Sequence, residues 1–133
     1  MIQPAFDARA LAQAGADALR RGDARAARES FERLIGTGAA DAASFIGLAY
    51  ACRDLNDPAG VVAALDRALE LEPGNLGALI LRGDHLTALG DARSASAFYR
   101  QALRLAPPPA EMPATLRDEL ARAKAMCDRF ARA

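Results

Sequence analysis

His85 is the only histidine in 133 residues, Cys52 and Cys127 are the only cysteines, and Lys124 is the only lysine. A single imidazole excludes a metal site built on two His and any His–His acid–base pair. Two thiols, each embedded in helical pattern, are too few for a disulfide framework or a zinc site, and they fit inert packing residues in a reducing cytoplasm. Net charge is also missing, because seventeen basic residues balance seventeen acidic ones. Binding to nucleic acid usually rests on a basic excess that displaces counterions from phosphate, so no nucleic-acid partner is expected. No apolar run approaches the roughly 20 residues that span a bilayer, and the opening MIQPAFDARALAQAG lacks the basic-then-apolar order of a secretory signal, so no membrane partner is expected either. Phosphate-binding loops of the G-x-x-x-x-G-K-[ST] or G-x-G-x-x-G kind are absent, as is any convincing strand. Neither catalysis nor a cofactor is expected. The length suits one domain with a sizeable core.

What the chain does contain is repetition. GDARAARESF, Gly22 to Phe31, returns as GDARSASAFY, Gly90 to Tyr99, and midway stands NDPAGVVAAL, Asn56 to Leu65. The step is 34 residues. Asp23, Asp57 and Asp91 read as helix N-caps, Pro58 falls at a first helical position, and Gly22 and Gly90 read as left-handed terminators of the preceding helices. Seven residues upstream of each turn phrase is a small residue, Gly15, Ala49 and Gly83. Nine residues downstream is a large one, Phe31, Leu65 and Tyr99. Small opposite large at helical spacing lets two antiparallel helices pack closely. Pro73 and Pro107, also 34 apart, stop helices. A last pattern over 114–131 places Leu116, Leu120, Ala123, Cys127 and Phe130 on one amphipathic stripe.

On these residues the chain resembles the tetratricopeptide-repeat (TPR) family, with repeats at about 8–41, 42–75 and 76–109 and a capping helix at about 114–131. The departures are Ala39 and Leu34 in the first unit, Arg82 in the third, and Ala18, Cys52 and Leu86 where a late aromatic is usual. The resemblance implies an all-α solenoid: three helix hairpins and a cap in a right-handed superhelix, one domain over 1–133. It also implies a groove, lined mainly by the first helices, that takes a protein or peptide ligand. Projected onto the register, the groove candidates are Arg9, Ala12, Ala16, Ile46, Tyr50, Arg53, Ile80, Asp84 and Thr87. Tyr and Arg among aliphatics is a mixture enriched at binding hot spots. TPR domains that clamp a chaperone's C-terminal carboxylate use Lys, Asn and Arg where this chain has Ala12, Ala16, Gly47, Gly77 and Leu81, so that subclass is disfavoured.

The final third, NLGALILRGDHLTALGDARSASAFYRQAL and then LRDELARAKAMCDRF, also resembles the helical region ahead of the aspartyl/asparaginyl β-hydroxylase domain in some bacterial proteins. That likeness implies an accessory arm of a larger enzyme. Self-association as a homodimer through an apolar end is a third expectation. The leading expectation is a non-catalytic, cytoplasmic interaction module.

Overall fold

The computed structural model describes residues 4–132. Among them are seven α-helices and one 3-10 turn: α1 (Pro4–Arg21), α2 (Ala24–Gly36), α3 (Ala42–Asp54), α4 (Pro58–Leu71), α5 (Leu76–Ala88), α6 (Ala92–Leu105), the 3-10 turn Pro109–Glu111, and α7 (Ala114–Ala131). The fold is all-α, as the period requires. α2, α4 and α6 begin at residues 24, 58 and 92, a 34-residue step, and α3 and α5 begin at 42 and 76, the same step. Two compact units result, one ending at Pro73 and the other beginning at Gly74.

The three turns inside the hairpins are copies of one backbone motif. Gly22 (φ 78°), Asn56 (φ 56°) and Gly90 (φ 83°) occupy the left-handed region, where Gly is unstrained and Asn is among the tolerated residues. The following Asp donates its backbone N–H six-to-one onto the helix it leaves. Those bonds are Asp23 to the Ala18 carbonyl (2.8 Å), Asp57 to Cys52 (2.9 Å) and Asp91 to Leu86 (2.9 Å). This is the Schellman arrangement, and it satisfies carbonyls that a helix end leaves orphaned. The same Asp then caps the next helix. Its carboxylate accepts from the N–H of Ala26 (3.1 Å), Gly60 (3.0 Å) or Ser94 (3.1 Å). One residue thus closes one helix and opens another. The first helices of the second and third repeats are capped too, by Asp41 on Ser44 (2.9 Å) and Asn75 on Ala78 (2.9 Å).

In the first unit α1 packs on α2, α2 on α3, α3 on α4, and α1 also meets α3. Phe31, from α2, fills their junction. A Cβ built on Gly15 of α1 would lie 2.7 Å from the ring, and one on Gly47 of α3 would also overlap it. In the second unit α5 packs on α6, and α7 packs on both. There a Cβ on Gly83 would lie 2.5 Å from the Tyr99 ring. The second repeat has Leu65 and Ala49 at the corresponding positions, both fully buried. Gly faces a ring where the partner is aromatic, and Ala suffices where it is Leu.

Two outcomes follow from this packing and capping. Gly83→Ala raises helix propensity by about 1 kcal/mol but forces a methyl into Tyr99, so net destabilisation of about 1–3 kcal/mol is expected. Gly36→Ala meets nothing within 4 Å and should be neutral or slightly stabilising. Urea unfolding of the two variants separates these outcomes, and equal midpoints would refute the packing account. The hydroxyl and amide of Ser44 hold the Asp41 carboxyl below its ordinary range. A depressed folded-state value adds stability above the unfolded value, and that stability is lost as pH falls through the folded one. Asp41→Asn keeps a cap acceptor but cannot titrate. It should therefore lose less stability than the parent between about pH 7 and about pH 3.

Candidate functional site

Small residues on α1 and α3 let the two helices approach yet project little over the space in front of them. The result in the first unit is an open cleft of about 580 Å³. Five groove candidates line it together: Arg9, Ala12 and Ala16 from α1, and Ile46 and Tyr50 from α3. Residues outside the set of groove candidates complete it. Leu19, Phe31 and Leu34 add apolar surface, while Gly47 lets the Phe31 ring come forward between the helices. Gly47 stands two residues from Ala49, outside the in-phase set of small positions, and only its juxtaposition with Phe31 explains it. At one edge Asp41 and Ser44 form a reciprocal capping box, with the Ser44 hydroxyl donating to Asp41 Oδ1 at 2.8 Å. The pair in D-A-A-S is the sequence signal that could have found this edge. Arg53 lies outside the lining, but its guanidinium sits 4.9 Å from the centre of the Tyr50 ring, a cation–π distance. The ring and the cation form one amphipathic edge.

The three candidates from the third repeat are placed differently, in the second unit. Ile80 is buried at 2 % exposure. Asp84 is committed to other side chains. It accepts the Tyr99 hydroxyl at 2.6 Å and a two-pronged bond from Arg122 of α7, at 2.7 and 3.0 Å. Thr87 donates to the Gly83 carbonyl (3.0 Å) and its hydroxyl lies 3.1 Å from that of Tyr99. Burial, then the hydrogen bond to the Asp84 carboxylate, pushes the Tyr99 phenol up, and the same carboxylate pushes the Arg122 guanidinium up. Asp84 therefore tethers α7 to the buried end of Tyr99. Sequence register put Asp84 on the groove face but carried no information on what α7 would bring to it.

Burial raises the thiols of Cys52 and Cys127, which keeps both protonated and poorly nucleophilic. Burial, with Arg82 nearby, pushes the half-buried His85 imidazole down. Among the described residues no three His, Cys, Asp or Glu cluster as a metal site, and no helix is long and apolar enough to cross a membrane. Arg122→Met leaves Asp84 without its counter-ion beside a buried phenol. A loss of about 1 kcal/mol is expected, together with faster amide exchange concentrated in α7. Exchange that rises equally in α1 would contradict the tether.

Residues 76–109 match the family described as tetratricopeptide repeat. No curated protein matches the chain in sequence. Solved structures do match in shape. The Arabidopsis OM64 TPR domain superposes with a TM-score of 0.77 at 20% identity, over 92% of this chain and 98% of that one. The second TPR domain of human RPAP3, solved with the HSP70 peptide SGPTIEEVD, gives 0.74 at 22% identity, over 92% and 98%. PcrH from Pseudomonas aeruginosa gives 0.80 at 21% identity, over 93% and 91%. PcrH bound to the chaperone-binding region of PopB gives 0.77 at 22% identity, over 90% and 93%. Residues 76–109 are a tetratricopeptide repeat, and the chain has the fold of TPR domains.

Proposed function

We propose that the chain is a non-catalytic protein-interaction module whose cleft between α1 and α3 takes a peptide or partner helix. The observation that carries this reading is the convergence of Arg9, Ala12, Ala16, Ile46 and Tyr50 on one open cleft. At about 580 Å³ it is large enough for a row of apolar side chains. Its lining is mostly apolar, with Arg9, Asp41 and Ser44 as its polar members, and Arg53 lies beyond the lining against the Tyr50 ring. That arrangement suits a ligand held by buried side chains and oriented by rim charges. The bound states of RPAP3, with an HSP70 peptide, and of PcrH, with a PopB segment, support a peptide-binding role for the shared fold. The α1 and α3 positions where a carboxylate clamp needs cations and amides are Ala12, Ala16 and Gly47 here. The ligand is therefore read as an apolar segment with flanking polar groups, not as a free C-terminus.

The test starts from random dodecapeptides displayed on phage, selected against the purified chain, synthesised and titrated. Peptides rich in Leu, Ile and aromatic residues are expected to bind. Ala16→Trp should fill the cleft and abolish that binding. Tyr50→Ala with Arg53→Ala should weaken it by about tenfold or more, with helical circular dichroism and melting temperature nearly unchanged. Selected peptides that bind all three proteins equally would place the site elsewhere.

A further inference from the structure

A second cleft, of about 640 Å³, lies wholly in the second unit, on the side where the chain passes from α6 into α7. Pro107, Pro108 and Pro109 form one wall. Their rings fix φ and remove backbone donors, so the wall is stiff and presents little competing hydrogen-bond capacity. The floor is apolar, from Leu103 at the end of α6, Met112 and Leu120. Along α7 the lining residues are Arg117, Leu120, Ala121 and Lys124, at the spacing of one helix face. The two cations stand seven residues apart, about 10 Å along the axis, with the apolar residues between them.

The charge pattern is one-sided. The lining contains Arg117 and Lys124 and no carboxylate, in a chain whose total charge is zero. Arg117 has no ion-pair partner among the described residues, and it is exposed. Lys124 lies 3.6 Å from Asp128, but that pair is 72 % and 57 % exposed and is easily exchanged for a better-placed anion. The α1–α3 cleft is different, with Arg9 and Asp41 both on its lining.

We propose that this cleft is a second docking site, independent of the first, for an acidic amphipathic helix of a partner protein. The helix carries two carboxylates about two turns apart, one for Arg117 and one for Lys124. A large aliphatic side chain between them enters the floor formed by Leu103, Met112 and Leu120. Apolar contact supplies the affinity and the two cations select for acidic sequences and fix the register. Because the wall is already rigid, little ordering is needed on binding.

The test uses three fluorescein-labelled model helices on an Ala/Gln background. Each has two Leu residues flanked seven residues apart by Glu, by Gln or by Lys. Fluorescence anisotropy at low salt should show the Glu helix binding about tenfold more tightly than the Lys helix, with the preference shrinking as salt rises. Arg117→Glu with Lys124→Glu, both exposed positions, should keep the circular dichroism and melting profile and reverse the preference. Replacing the two Leu by Ala should remove binding to the parent. Tyr50→Ala with Arg53→Ala should leave Glu-helix binding intact, which separates this site from the first. Equal binding of the Glu and Lys helices, no binding at all, or a Glu preference surviving the double charge reversal would each overturn the proposal. So would concentration-dependent sedimentation of the chain that the charge reversal abolishes, since the occupant would then be a second copy of the chain.

Discussion

An aromatic ring pressed onto a helix backbone sets the spacing from which the rest follows. Phe31 reaches the interior only because Gly15 and Gly47 have no side chains there, and its single ring spaces α1, α2 and α3 together. Tyr99 meets Gly83 in the same manner and brings a hydroxyl up against Asp84 and Thr87. A buried phenol needs a partner, and here that need is met by Asp84, which in turn draws Arg122 from α7. In the first unit the equivalent ring is Phe and makes no such demand. The face in front of it is left open.

That chemical difference between two equivalent residues accounts for the different use of the same surface in the two units. Ala12, Ile46 and Ile80 share one register position, and Ala16, Tyr50 and Asp84 share the next. In the first unit the small members of these sets leave a cleft, with Tyr50 and its overlying Arg53 at one edge. In the second unit Ile80 is buried and Asp84 is taken up by the tether of α7. A repeat family's groove positions are therefore not interchangeable. Here the position is open where the ring on the paired helix is Phe31 and occupied where it is Tyr99.

Most of the fold was legible in the sequence because its determinants are local. Asp, Gly or Asn, and Pro act within a turn, and their recurrence every 34 residues gives helix starts at 24, 58 and 92 without reference to packing. The cap over Ala114–Ala131 was legible for the same reason, as an apolar stripe on one helix. The candidate site was only partly legible. Arg9, Ala12, Ala16, Ile46 and Tyr50 share a face by helical register, and register is readable. The commitment of Asp84 depends on a residue 38 positions away, and the role of Gly47 depends on a ring from a different helix. Neither relation has a fixed spacing, so no periodicity reveals it.

The shared turn motif also governs where this architecture can change length. In each hairpin the residue that closes one helix by its N–H opens the next by its carboxylate, so an inserted residue would undo both ends at once. The connections after α2 and α4 carry a first-helix cap, at Asp41 and Asn75, on their downstream side, and after α2 the Thr37 hydroxyl also donates to the Leu34 carbonyl at 2.6 Å, so the two helix ends there are closed by different residues. The passage from α6 to α7 has no side-chain cap at either the 3-10 turn or α7. A residue inserted in that last connection, beside the proline-walled cleft, would therefore break no side-chain cap. The interior of each hairpin stays fixed in length while its faces vary in sequence.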